Sequence, residues 1–297
     1  MRKGTNRISA RTCDRATIAR MAQLSVGRQP SLVRPLELTS LLLRSGRPLS
    51  AGLAGALSFA AVWIRSGFSQ RAVLVGFVMW TVTMFGFVIN DIFDFEKDVA
   101  ARVRRPIAMG LLSRQMALVF AIVLLLVVWS LCPAVGSANA VVMRTVLALV
   151  LYTPFARHLP LFKGVYVAGL SLAPLYYASI ISHVNFPGAA YGLLALFIFG
   201  RETLMDAHEI VDDRRAGVRT IAVWLGQTEA RRLGTVMMIL SLVGLNLVAR
   251  GVMGRTLAKL AVASLFCIFV WPRVEERTRI SFSRLPMLAA ALALVSA

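Results

Sequence analysis

An all-α fold, a polytopic membrane helical bundle of about nine transmembrane helices, is predicted by three observations. Of 297 residues, 58% are apolar. The mean hydropathy is +0.71. The apolar residues also gather into runs of helix length, separated by arginine-rich links. Globular chains run near about 45–50% apolar, so an ordinary soluble domain is excluded. In lipid every backbone N–H and C=O has to be bonded internally, and for runs of this length that means helices.

In chain order the predicted spans are 49–64, 72–96, 115–132, 140–156, 164–182, 189–211, 233–249, 257–272 and 285–297. The first and last are short, and the last begins as early as Ile280 or crosses only in part. Residues 1–47 are arginine-rich with Asp14 and Glu37 as their only acids, and read as a basic cytoplasmic N-terminal tail that touches anionic lipid. A transit peptide has a similar composition. Residues 48–297 read as one membrane domain, with no linker to divide them. Cys13, Cys132 and Cys267 are isolated, which gives neither a disulfide framework nor a zinc spacing.

The net charge of +19 raises nucleic acid as a partner, but its distribution follows membrane orientation instead, and no nucleic acid is predicted. With the N-terminus cytoplasmic, the inner loops from Lys97 to Arg284 carry sixteen Lys and Arg, against five on the outer side (Arg65, Arg71, Arg250, Arg255 and Lys259).

Two of the predicted spans end in acid. In the first, Asn90, Asp91, Asp94 and Asp98 fall at about 0°, 100°, 40° and 80° around a helix, so an amide and three carboxylates share one face. In the second, Glu202, Asp206, Glu209 and Asp213 form a stripe within about 60°. Mutual repulsion raises the pKa of such acids unless cations lie between them, and all-oxygen ligands favour Mg²⁺. Mg²⁺ takes one or two carboxylates together with substrate phosphates. A solvated rim paired with arginines is the ordinary alternative for one cluster; two clusters at the same membrane face predict a clamp for a diphosphate. His208 falls about 200° from Asp206 and reads as a helix–helix hydrogen-bond partner, not a ligand. Lys97 is placed to pair with Asp94 or to reach the diphosphate. The segments 75–113 and 191–226 echo each other as apolar helix, acid stripe, basic loop and glycine (Gly110, Gly217), which suggests a parallel duplication. Their long inner loops are candidate lids.

These motifs resemble the UbiA superfamily of intramembrane prenyltransferases over roughly residues 35–290. Asn90-Asp91-x-x-Asp94-x-x-x-Asp98 is similar to its first aspartate-rich motif, and Arg104-Arg105-Pro106-x-x-x-Gly110-x-x-Ser113 to the loop that follows. Arg201-Glu202-x-x-x-Asp206-x-x-Glu209-x-x-x-Asp213-Arg214-x-x-Gly217-x-Arg219-Thr220 is similar to the second motif, and Tyr152 through Lys163 to its tyrosine-and-lysine stretch. Three positions depart: Glu209 stands where Asp is usual, Asp212 where Gly is frequent and Ala222 where Pro is frequent.

The resemblance implies transfer of an isoprenyl group from an isoprenyl diphosphate to a hydrophobic acceptor, aromatic or lipid-soluble, within membrane lipid. Asn90, Asp91, Asp94, Asp98, Asp206, Glu209 and Asp213 are then the Mg²⁺ ligands and catalytic groups, and Arg102, Arg104, Arg105, Tyr152, Lys163 and Arg219 the substrate-binding ones. Phe87, Phe93, Phe155, Tyr152, Tyr176 and Tyr177 are candidates to face an allylic cation kept dry by the bundle. A membrane terpene cyclase of the same superfamily would use the same clamp. A cation-coupled transporter would place its acids at the midplane of inverted repeats, unlike these. A scaffold would leave the acid stripes without a purpose.

Overall fold

The computed structural model describes residues 35–100, 103–136, 139–156, 160–183, 188–215, 217–270 and 275–295. Among these, all regular structure is helical. A first helix, α1 (Pro35–Gly46), lies within the segment expected as tail, and it packs on α3. The long helices are α2 (Pro48–Ser66), α3 (Gln70–Phe93), α5 (Arg114–Val135), α6 (Asn139–Ala156), α7 (Pro160–Ile181), α8 (Gly188–His208), α11 (Gln227–Val248) and α12 (Gly251–Val270). Shorter pieces are α4 (Phe95–Ala100), α9 (Ile210–Arg215), α10 (Ile221–Leu225), α13 (Glu276–Phe282) and α14 (Arg284–Val295).

Each of the nine predicted runs falls largely on a helix, and six helices among the described residues are long and apolar enough to cross a membrane. α8 carries its acid motif in its last turns, and the apolar stretches of α6 (Asn139–Tyr152) and α14 are shorter than a full crossing. The outer surface is apolar: Leu118, Val119, Ile122 and Leu126 on α5 are all exposed. Exposed leucine and isoleucine along one helix face suit lipid, not water. The protein is a multi-pass integral membrane bundle.

The sequence also sets where helices begin. Pro48 opens α2, where its missing N–H costs nothing. The Ser69, Ser113 and Thr220 hydroxyls accept from the amides of Ala72, Met116 and Val223 and cap α3, α5 and α10.

Two glycine crossings fix the bundle's interior. At the α2–α3 crossing, a Cβ on Gly55 would lie 2.7 Å from the Gly76 carbonyl oxygen. At the α8–α11 crossing, a Cβ on Gly200 would lie 2.6 Å from the Gly234 carbonyl oxygen. Small residues of this kind let membrane helices approach at backbone distance. The two crossings hold the helices that end in acid, α3 and α8.

Candidate active site

Both acid-bearing helices break at the same point of their motifs. α3 ends at Phe93 and α4 resumes at Phe95, leaving Asp94 between them; α8 ends at His208 and α9 resumes at Ile210, leaving Glu209. The backbone bonds repeat as well. The Asp98 amide donates to the Asp94 carbonyl at 2.8 Å and the Asp213 amide to the Glu209 carbonyl at 3.0 Å. The Val103 amide then donates to the Asp98 carbonyl, and the Val218 amide to the Asp213 carbonyl, both at 2.9 Å. In the loops beyond, Gly110 (φ 70°) and Gly217 (φ 66°) adopt the left-handed backbone that favours glycine. The echo between 75–113 and 191–226 thus extends to the local backbone bonds.

The breaks bury four aspartates and pair each with a cation. Asp91 is 2% exposed and Asp213 is 0%; Asp98 and Asp206 are also buried. Arg47 pairs with Asp91 Oδ1, to which Arg105 Nη1 also lies at 3.1 Å. Arg105 Nη1 reaches Asp98 Oδ2 at 2.5 Å, so one guanidinium bridges two carboxylates of the first motif. In the second motif Lys163 pairs with Asp206, and Lys97 Nζ donates to Asp213 Oδ1 at 2.8 Å. That last contact joins the two halves, because Lys97 belongs to the first motif. Of its anticipated roles, pairing with Asp94 is not seen among the described residues; its ion pair is with Asp213.

The other expected residues fall into place unevenly. Asn90 Nδ2 donates to Asp94 Oδ2 at 3.1 Å. Tyr152 lies within electrostatic reach of Lys163, Glu202, Asp206 and Asp94, between the two motifs, and its ring meets that of Tyr166 at 5.8 Å. Glu209, Arg104 and Arg219 are exposed. Arg102 and the Phe155 side chain lie outside the described residues. Among the proposed cation-facing aromatics, Phe87 has Arg47 over its ring at 4.8 Å, Phe93 is exposed and Tyr177 is a core residue. His208 Nδ1 stands 3.4 Å from Glu276 Oε2 of α13, the helix–helix contact expected of it.

Angular arithmetic on an unbroken helix put three carboxylates on one face. Asp94 and Glu209 stand at one-residue interruptions, and among the described residues no three His, Cys, Asp or Glu side chains come together as a metal cluster of their own. The buried aspartates keep free donor capacity nonetheless. Asp91 Oδ2 and Asp213 Oδ2, one from each half, are buried with no hydrogen-bond partner. Unpaired buried carboxylate oxygens are costly, and they are the hard donors that Mg²⁺ prefers. Burial pushes the Asp98 carboxyl up to about 6, with Arg105 pulling against it.

Sequence reasoning missed Arg47, which was counted with the tail. It sits in a left-handed turn (φ 49°, ψ 59°) between α1 and α2. Its one local signal is its place just before the Pro48 that opens a span. Beside the site, α6, α7 and α8 enclose a mostly apolar groove of about 520 Å³, lined by Ala148, Tyr166, Leu172, Ala173 and Tyr176. Tyr166 lines this groove, and its ring meets that of Tyr152.

The family model of the UbiA prenyltransferase family matches residues 50–291. A digeranylgeranylglyceryl phosphate synthase from Haloquadratum walsbyi is 30% identical over 215 residues, covering 68% of this chain and 72% of that protein. A UbiA homologue from Archaeoglobus fulgidus, solved with GPP and Mg²⁺, superposes with a TM-score of 0.68 at 18% identity, over 86% of this chain and all of that one. A solved digeranylgeranylglyceryl phosphate synthase gives a TM-score of 0.64 at 21% identity, over 87% of this chain and 98% of that one. With a match that spans most of the membrane region and a bundle of the same shape, the chain belongs to the UbiA prenyltransferase family and is a membrane prenyltransferase.

Proposed function

We propose that the protein transfers an isoprenyl group from an isoprenyl diphosphate to a glycerophosphate lipid, with Mg²⁺ required. The observation that carries this reading is the pair of equivalent helix breaks, each presenting a buried aspartate with an unpartnered oxygen, Asp91 and Asp213, among Arg105, Lys97 and Lys163. The relatives' activity supports the glycerophosphate over the aromatic acceptor first expected. The C1–O bond to diphosphate breaks, an ether bond forms from the acceptor's hydroxyl oxygen to C1, and the hydroxyl proton is lost.

Asn90, Asp91, Asp94, Asp98, Asp206, Glu209 and Asp213 are the residues that would hold Mg²⁺, which supplies charge neutralisation for the leaving diphosphate when bound. Arg105, Lys97 and Lys163 give charge-assisted hydrogen bonds to the diphosphate oxygens. Arg104 and Arg219 stand on the two loops that would cover it, and Arg102, two residues before Arg104 in sequence, is a further candidate contact. Tyr152 faces the allylic carbon, and the apolar groove beside Tyr166 takes the isoprenoid tail and keeps water from the cation. Residues 48–297 form the catalytic membrane domain, with the N-terminal segment and the site on the cytoplasmic side.

The test is purified protein in nanodiscs with Mg²⁺, allylic diphosphates of several lengths and prenylated glycerophosphate or aromatic acceptors, with products read by mass spectrometry. A prenyl ether of the glycerophosphate that disappears in EDTA is the expected product. An adduct with the aromatic acceptor alone, or a cyclic hydrocarbon made without any acceptor, overturns the reading.

A further inference from the structure

We infer that a second anion subsite, formed by Arg201, Arg284 and Ser50, lies beside the diphosphate clamp and takes the phosphate monoester of the acceptor. The acceptor's identity as a glycerophosphate rests on the reading above; the presence of the subsite rests on the side chains themselves.

Arg201 stands on α8 about 140° around the helix from Asp206, so it leaves the acid stripe and turns to another face. It is 8% exposed. Its Nη1 donates to Glu202 Oε1 at 2.8 Å, while its Nε is buried with no hydrogen-bond partner. Arg284 opens α14, which packs against both α2 and α8, and its Nη1 donates to Ser50 Oγ in the first turn of α2 at 3.2 Å. The charges within its electrostatic reach are Arg201, Glu202 and Arg47. Arg47 is committed to Asp91.

Arg201, buried, pairs with Glu202, while the half-buried Arg284, on the helix that packs against α2 and α8, has Glu202 as the one carboxylate in its electrostatic reach. Two guanidiniums that share one carboxylate carry net positive charge, and a pair of planar forks matches the oxygens of a phosphate. The donor's diphosphate already has its own cations in Arg105, Lys97 and Lys163, each on an acid of the two motifs. An anion on Arg201 and Arg284 is therefore a different group. Glu202 connects the two places: it bonds Arg201 and is an electrostatic neighbour of Arg284, Asp206 and Tyr152. An acceptor whose phosphate sits on the arginine pair extends from there along Glu202 toward Tyr152 and the donor. A neutral aromatic acceptor offers this pair nothing.

The test uses wild type, Arg284→Gln, Arg284→Lys and Ser50→Ala in zwitterionic nanodiscs, with a prenylated glycerol lipid supplied with and without its phosphate. In steady-state transfer, Arg284→Gln should raise the KM for the phosphorylated lipid about tenfold or more while the KM for the allylic diphosphate stays within about twofold. Arg284→Lys should recover most of the loss. A parallel rise of both KM values, or equal KM values for the two lipids in wild type, overturns the subsite.

Direct binding of the two lipids, without allylic diphosphate, separates this proposal from the transfer reading. If wild type transfers to neither lipid yet binds the phosphorylated one about tenfold better than Arg284→Gln does, the subsite stands and the transfer reading falls. If transfer proceeds but binding is indifferent to Arg284, the subsite falls alone. Should Arg284→Gln fail to fold, Ser50→Ala carries the test: it keeps both charges and should weaken binding of the phosphorylated lipid about two- to fivefold, and no change overturns the subsite. Replacing the nanodisc lipid with phosphatidylglycerol distinguishes an acceptor site from a headgroup site, and full displacement by that bulk lipid counts against the acceptor.

Discussion

At the first helix break Asp91 and Asp98 are held by arginines, Arg47 and Arg105, while at the second Asp206 and Asp213 are held by lysines, Lys163 and Lys97. The backbone paths match and the cations do not. Arg105 comes from the first motif's own loop and spans both of its buried aspartates, so apart from Arg47 that half is self-contained. The second half draws Lys97 from α4 and Lys163 from α7. Two segments with the same local backbone pattern are thus not interchangeable, and the second is completed by the first through the Lys97–Asp213 contact. A lysine is a compact charge on a flexible stem, while the guanidinium is a fixed fork.

The sharpest way to break this comparison is to remove one acid from each half. Asp91→Asn and Asp206→Asn should each lower turnover by about 100-fold or more, since leaving-group stabilisation fails when either half fails. Near-normal product formation in both would refute the shared site. EDTA should abolish turnover and added Mg²⁺ restore it; full activity in chelator would remove the metal from the mechanism.

A smaller effect is expected at the cation that joins the halves. Lys97→Met should cost about 10-fold or more in kcat by leaving Asp213 buried without its partner, and Lys97→Arg should recover part of it. If Lys97→Met is as active as wild type, the two halves work independently. The helix crossings give a change in stability instead: Gly200→Ala and Gly55→Ala should each cost about 1–3 kcal/mol, because the new Cβ meets a carbonyl oxygen on the facing backbone. Thermal unfolding in detergent measures this, and unchanged midpoints would mean the helices slide apart without penalty. The smallest effect belongs to Glu209, exposed at the second break. Glu209→Asp should stay within about twofold of wild type and Glu209→Ala should lose about tenfold, because the middle acid's charge matters more than its length. Equal, small effects of both in the product assay would make Glu209 a rim charge.

Most of the site was visible as pattern. The acid spacing, the basic loops with Gly110 and Gly217, and the tyrosine-to-lysine stretch are local, and Lys163 does reach an acid of the second motif. What escaped was nonlocal or depended on a broken helix. Helical angles treated Asp94 and Glu209 as members of continuous stripes, whereas each stands at a break and the acids on either side of it are the buried ones. Arg47 and Arg284 lie far along the chain from the acids they meet or approach, and charge patterning read Arg47 as part of the basic tail and Arg284 as an inner-loop residue.

By itself the sequence determined the membrane class, the apolar segments and the two acid motifs, because apolar runs of helix length in lipid admit few solutions and each motif is a short-range spacing. The tertiary structure alone decided which cation meets which aspartate, where the apolar groove opens and which arginines remain short of counter-charge. Those outcomes depend on how α2, α7, α8 and α14 pack around the two breaks. Close packing through Gly55, Gly76, Gly200 and Gly234 brings together charges that no local spacing relates.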